Sequence, residues 1–224
     1  EHTHQALAGL RVVEFAWMGV GPQTTLHLAR CGAEIIHVET STHPDPLRTM
    51  GPFRNHVVGL NLSGMFENNN PNKLGITLNL NTPQGPKLAR RLADIADVIV
   101  ENMSPEIKGR WGLTYDEIRR TNPPVIMVGM ASQGQWGPHA KHPGHGGTIP
   151  GLAGFYHFLG WPDLEPSDCA MPYTDWVVPH FGAAAILAAL DYRSRTGQGA
   201  YIDVSHIESS AHALAPALLD YTVN

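Results

Sequence analysis

Asp175 is the acid whose neighbours set it apart from a surface charge. It lies in the stretch Met171-Pro-Tyr-Thr-Asp-Trp-Val-Val-Pro-His-Phe-Gly182, just before a run of small helix formers from Ala183 to Leu190. Pro179 falls where a first helical turn tolerates proline, and Arg193, Arg195 and Thr196-Gly-Gln-Gly199 mark the helix end. A carboxylate at a helix N-terminus either caps orphan amides, or stays ionised and attacks an electrophile. Tyr173, Thr174 and Trp176 surround it in sequence. For this stretch taken alone, the cap is the simpler account. The small side chains of the helix also let another backbone pack close.

The other polar clusters are weaker signals. His139, His142 and His145 recur every third residue, which invites a metal. Pro143 and Gly144 break the run and no acid accompanies it, so no metal site is assigned. Gly19-Val-Gly21 follows a strand-like run but lacks the third glycine of a dinucleotide fingerprint, so no nicotinamide site is assigned either. Lys73 sits in the polar cluster Glu67-Asn-Asn-Asn-Pro-Asn-Lys73, either as a solvated turn charge or as a cation facing a phosphate.

The elements that must hold these residues alternate. Leu10–Ala16, Glu34–Glu39, Gly75–Leu80, Asp97–Asn102, Val125–Met130 and Tyr201–Ser205 read as strands. Gly19-Val-Gly-Pro22 reads as a tight turn, with a helix from Thr24 to Cys31 after it. A second helix begins at Thr82-Pro, with Leu88, Leu92 and Ile95 on its buried face. Ser104-Pro105 starts another, Thr114 with Glu117 forms a capping box, and Ile207–Tyr221 is helical. Ser41–Gly64 and Ser132–Gly154 read as loops. This order predicts an α/β fold, Rossmann-like, with a mostly parallel sheet and flanking helices. Ligands then bind beyond the carboxyl ends of the strands, at the turns after Ala16, Leu80, Asn102 and Met130.

With 224 residues, a net charge of −5 and no basic stripe, the chain has room for a real core and no surface suited to nucleic acid. No apolar run is long enough for a bilayer. Cys31 and Cys169 are too few for a disulfide scaffold, so a reduced cytoplasmic setting is expected. The chain opens at Glu1 without Met and stops at Asn224 after an apolar helical pattern, so both ends are expected to be cut from something longer.

A set of short motifs, in order, carries a family resemblance. They are Leu7-Ala-Gly-Leu-Arg-Val-Val-Glu14, Gly21-Pro22, Gly32–Glu39, Asp45 with Arg48, Asn69–Lys73 and Ala96–Asn102. Gly112-Leu-Thr-Tyr-Asp116, Asn122-Pro, Ser132–Pro138, Tyr173-Thr-Asp175, Leu187–Leu190, Arg193–Gly199 and Ile202-Asp-Val-Ser205 complete it. Together they resemble the N-terminal part of a family III CoA transferase, a group that includes carnitine and formyl-CoA transferases and α-methylacyl-CoA racemases. The resemblance implies that residues 1–224 are the large CoA-binding and catalytic portion of an interlocked-dimer CoA transferase fold. A C-terminal small domain and return segment would lie outside this chain. It implies a homodimer, or a hetero-oligomer, with coenzyme A as co-substrate, acyl-CoA and carboxylic acids as partners, no tightly bound cofactor and no metal.

By the same resemblance the nucleophile is Asp175. The CoA-binding turn is Trp17, Met18, Gly19 and Val20, with Arg48, Lys73, Asn102, Met103 and Arg110 on the adenine or phosphate side. His145, Tyr173 and Trp176 are the substrate-side candidates. The implied reaction passes through an aspartyl mixed anhydride and an aspartyl-CoA thioester. The main alternative is a racemase moving an α-proton between His145 and Asp175; after His145, however, the chain continues Gly-Gly-Thr instead of with an acid. A catalytically inactive CoA-binding subunit and an NAD-type dehydrogenase are the remaining alternatives.

Overall fold

The valine- and isoleucine-rich runs become six strands in a computed structural model that describes residues 5–224. They are β1 (Arg11–Phe15), β2 (Glu34–Glu39), β3 (Lys73–Thr77), β4 (Val98–Glu101), β5 (Ile126–Gly129) and β6 (Ala200–Asp203). All pairings are parallel and the order is β3-β2-β1-β4-β5-β6. Continuous apolar runs suit strands covered on both faces. Val12, Val13, Ile99, Val100, Ile126 and Val128 accordingly have 1% exposure or less.

Helices α1 (Val20–Arg30), α2 (Gly64–Asn69), α3 (Gly85–Asp94), α4 (Pro105–Trp111) and α5 (Tyr115–Ile118) precede β5. After it come α6 (Ile149–Leu152), α7 (Phe155–Phe158), α8 (Tyr173–Thr196), α9 (His206–His212) and α10 (Ala215–Val223). Leu28 and Ala29 of α1 and Val178, Ile186 and Ala189 of α8 cover one face, packing with Val12, Val100 and Val128. Ala89 and Ala93 of α3 and Ile118 of α5 cover the other, with Val13, Ile99 and Met127. The sheet is therefore sandwiched as the alternation predicts. Among the described residues no helix is long and apolar enough to cross a membrane.

Several boundaries differ from the sequence reading. Gly19-Val-Gly-Pro22 is no separate turn: Gly19 caps α1, which already runs from Val20. Strand β3 starts at Lys73 instead of Gly75. The loop and polar cluster around Gly64–Asn69 form α2, with Ser63 Oγ accepting from Phe66 N. Leu88 and Ile95 are 43% and 54% exposed, and the buried face of α3 is built from Ala89 and Ala93, small enough to bring the helix close to the sheet. Helix α8 begins at Tyr173, so Asp175 is in its first turn and Pro179 is inside it. That proline removes the N–H that would bond the Asp175 carbonyl one turn earlier. Pro216 separates α9 from α10 within the expected single helix.

A chain of buried charge ties β1, β2 and β3 together. Lys73 Nζ donates to Glu14 Oε2, to Pro22 O and to Asn70 Oδ1, each at 2.9 Å. Glu14 Oε1 meets His37 Nδ1 at 2.5 Å, and Thr25 Oγ1 donates to Glu14 Oε2. Burial works against the Glu14 charge, but Lys73 and His37 outweigh it and hold the carboxyl below its ordinary range. Removing one partner of a buried pair strands the other's charge. Lys73→Met is expected to lower unfolding free energy by about 3–5 kcal/mol, with Glu14→Gln added to it recovering most of the loss. Urea denaturation of the two variants against the parent checks this.

Candidate active site

The carboxyl ends of β1 and β4 meet where the strand order reverses, the place where open parallel sheets bind ligands. The chain leaving β1 is fixed there by side chains. Asn102 pairs its amide with the Trp17 backbone, accepting from Trp17 N at 3.2 Å and donating to Trp17 O at 2.8 Å. Trp17 Nε1 donates to Val38 O at 3.1 Å. Met18 adopts a left-handed φ of 65°, and its N–H donates to Asp45 Oδ2 at 2.9 Å. Asp45 is fully buried and also accepts from Leu47 N at 2.8 Å. Asp45 is thus what holds the turn that the sequence reading assigned to CoA.

Two cavities of about 470 Å³ each open on this turn and share Trp17 and Asn102 in their walls. The first contains Met18, Gly19, Val20, His145, Gly146, Asp175, Trp176 and His206. Met50, Met65, Met130 and Met171 make much of its remaining wall apolar. The second is formed by Phe15, Val38, Leu78, Met103, Ile107, Trp111 and Arg110. Arg110 rides on α4, which Lys108 fastens to the sheet by donating to Glu101 Oε1 and Gln135 Oε1, both at 2.6 Å.

Asp175 reaches the first cavity from the first turn of α8. Its side chain is 22% exposed, and Oδ1 lies 3.3 Å from His206 Nε2. Oδ1 has no aligned hydrogen bond among the described residues. Burial pushes the carboxyl up to about 6, opposed by the charge of nearby His145. Two glycines leave room for the other oxygen. A Cβ on Gly19 would stand 2.9 Å from Asp175 Oδ2, and one on Gly146 would stand 2.5 Å from it. The slot beside Oδ2 exists because both positions lack a side chain. Chemically, this is a partly desolvated carboxylate with one open oxygen, no lysine or arginine beside it in the cavity lining, and largely apolar walls.

The expected site residues divide. Trp17, Met18, Gly19, Val20, His145, Trp176 and Asp175 line one cavity, while Trp17, Asn102, Met103 and Arg110 line the other. Lys73 and Arg48 line neither. Lys73 is spent on Glu14, as above, and Arg48 donates to Glu39 Oε1 and Oε2 and to Leu60 O and Asn61 Oδ1 while stacking 3.5 Å over Phe66. Their cations brace β2, β3 and the Asp45 loop. Tyr173 packs on Phe155, with ring centroids 5.6 Å apart, and is not part of the cavity wall. His139 and His142 stack on each other at 5.1 Å. Among the described residues no three His, Cys, Asp or Glu side chains gather as metal ligands. Asp45, Gly146 and His206 are the additions. Asp45 stood inside a recognised motif, Gly146 entered the sequence reading only as part of the Gly-Gly-Thr that follows His145, and His206 had only its place just after a strand as a signal.

An unpaired buried carboxylate works against stability. Below 3.8 both folded and unfolded chains protonate Asp175; as pH rises toward about 6 the unfolded chain ionises first, and the folded state loses stability until its own carboxyl ionises. Asp175→Asn is therefore expected to be more stable than the parent by about 1–3 kcal/mol at pH 7–8, and equal to it below about pH 4. His206 is pushed down to about 4 by burial and has the opposite slope; because it touches Asp175, the same pair is also compared in a His206→Phe background. Thermal melts across pH 3.5–8 provide the measurement.

The sequence pattern described as CoA-transferase family III matches residues 7–224. Succinate–glutarate CoA-transferase of Agrobacterium fabrum is 34% identical over 220 residues, covering 97% of this chain and 55% of that protein. The succinyl-CoA–L-malate CoA-transferase beta subunit of Chloroflexus aurantiacus is 32% identical, covering 91% of this chain and 49% of that one. A crystal structure of a CAIB/BAIF family protein from Brucella suis superposes with a TM-score of 0.91 at 31% identity, covering 99% of this chain and 58% of that one. The chain thus spans about half the length of the curated relatives it matches. With the match running through the strands, the Trp17 turn and Asp175, the chain belongs to CoA-transferase family III.

Proposed function

We propose that the protein to which this chain belongs transfers CoA between an acyl-CoA thioester and a free carboxylic acid, with Asp175 as nucleophile. The observation that carries the reading is the Asp175 carboxylate, half-desolvated and open at one oxygen, in a cavity that adjoins a second cavity bearing Arg110. The apolar first cavity suits the acyl end, with His145 and Trp176 in its wall. The second suits the nucleotide end, with Phe15, Trp111 and Met103 for a base and Arg110 for a phosphate. Trp17 to Val20 form the neck that the pantetheine arm would cross. Coenzyme A is a co-substrate in this scheme, and no resident cofactor or metal takes part.

The carboxylate attacks the thioester carbonyl carbon, the C–S bond breaks, and CoA thiolate leaves with the electron pair. The resulting mixed anhydride is attacked by thiolate at the Asp175 carbonyl, which yields an aspartyl-CoA thioester and releases the donor acid. An acceptor acid then reverses the sequence. The helix N-terminus favours the ionised carboxylate, and apolar walls protect the anhydride from water. The enzyme is taken to work in a reduced cytoplasmic setting as an interlocked homodimer or hetero-oligomer, with 1–224 as its large domain and a small domain supplied by further chain. Exposed apolar side chains on α10, among them Leu218, Leu219 and Tyr221, are consistent with such a partner surface.

His145 favours one second reading, an α-proton transfer on a 2-methylacyl-CoA, because it shares the cavity with Asp175. One experiment separates the two. The longest form of the protein is incubated with acyl-CoAs, quenched with hydroxylamine and digested. The transferase reading expects an acyl-CoA-dependent hydroxamate at Asp175 that is lost in Asp175→Asn and kept in His145→Ala. Deuterium uptake at the α-carbon that vanishes in His145→Ala, without any hydroxamate, would instead establish the racemase. Neither signal would leave an inactive CoA-binding subunit.

A further inference from the structure

His206 is the buried group that the reaction scheme above leaves idle. It is the first residue of α9, with Ser205 as the cap and its own N–H donating to Ala131 O at 3.1 Å. It is 5% exposed, and Nε2 lies 2.9 Å from Thr174 Oγ1, itself fully buried. The same nitrogen is 3.3 Å from Asp175 Oδ1. Burial keeps the imidazole neutral at neutral pH, its value pushed down to about 4. The two oxygens of Asp175 therefore differ. Oδ1 is enclosed and faces His206, whereas Oδ2 faces the slot between Gly19 and Gly146.

We propose that Oδ2 is the attacking oxygen, and that His206, in its Nε2–H tautomer, turns that donor from Thr174 Oγ1 to Oδ1 and stabilises the oxyanion that forms on it. This rests on the CoA-transferase reading and deepens it. When Oδ2 attacks the acyl thioester, negative charge gathers on the substrate's carbonyl oxygen, and Oδ1 becomes the neutral carbonyl oxygen of the aspartyl half of the anhydride. When thiolate attacks Cγ, the carbonyl electron pair moves onto Oδ1. Collapse of that adduct restores the Cγ–Oδ1 double bond, breaks Cγ–Oδ2, and expels Oδ2 as part of the donor carboxylate. The acceptor's attack on the aspartyl thioester charges Oδ1 again. Only these Cγ-centred steps place full charge opposite His206, whose proton stays on Nε2 throughout. A neutral donor suits the task, because an imidazolium would pair with the resting carboxylate and weaken the nucleophile. The resting contact with Thr174 Oγ1 keeps the ring within a small rotation of Oδ1, and alignment tightens as charge develops.

The test uses the full-length enzyme, a single turnover with an acyl-CoA, and intact-protein mass spectrometry, which separates an acyl adduct from a CoA adduct on Asp175. Wild type should pass from the first to the second. His206→Phe should form the acyl adduct at a rate within a few-fold of wild type, then form the CoA adduct about 10²–10³-fold more slowly, the usual loss on removing one oxyanion donor. His206→Gln, which keeps a neutral N–H donor, should regain at least about tenfold of that loss. The proposal is overturned if His206→Phe forms the CoA adduct at the wild-type rate, if both adducts fall together, or if Gln performs no better than Phe. Absence of any adduct on wild type would instead sink the transferase reading itself.

Discussion

A carboxylate without a cation, held out of bulk water at the start of a helix, is the constraint that organises this structure. No lysine or arginine lines the cavity around Asp175, and the fold surrounds it with weaker stabilisers. The first turn of α8 offers a partial positive charge, His206 offers a neutral ring, and His145 lies close enough to oppose the effect of burial. Each leaves the carboxyl ready to ionise near neutrality while keeping it reactive. The glycine backbones at Gly19 and Gly146 then form walls without filling the space beside Oδ2.

That arrangement depends on a rigid frame at the sheet's switch point. The frame is polar, and its parts come from separate motifs. Asn102 holds Trp17, Asp45 holds Met18 in its left-handed conformation, and Glu39 with Arg48 steadies the Asp45 loop. Beneath them Glu14, His37 and Lys73 lock the first three strands. Glu14, Asp45 and the Lys73 side chain are buried with their hydrogen bonds made, so they fix geometry at low risk of rearrangement, which apolar packing alone does less specifically. Motif charges that resemble ligand contacts in the sequence are in this way structural supports, one layer behind the cavity wall.

The two cavities differ in the chemistry of their walls. Methionines and Trp176 around Asp175 form an adaptable apolar wall, since thioether chains are flexible and polarizable. Flat aromatic and aliphatic walls beside Arg110 suit a nucleotide. Trp17 stands between, with its ring anchored to β2 through Val38 O. A stiff neck therefore separates the two compartments.

Local pattern determined the strands, their parallel stacking and the membership of Asp175 in a helix start, because burial on both faces demands continuous Val and Ile runs and because Gly, Pro and capping residues act within a few positions. Motif order also led to the Trp17–Val20 turn, Arg110 and Asp175. Helix boundaries at Gly19 and Tyr173 were not legible, since tertiary packing of α1 against α8 extends both helices through residues of poor propensity, Pro179 among them. Nor could the sequence show that Lys73 and Arg48 face inward, because a lysine's role depends on which carboxylate lies across the sheet, and Glu14 is 59 residues away. The pairing of His206 with Asp175, 31 positions apart, likewise comes from the sheet: β6 delivers α9 to the same strand ends that receive α8. Chemistry assembled from distant segments is decided by three-dimensional proximity, and only the folded sheet supplies it.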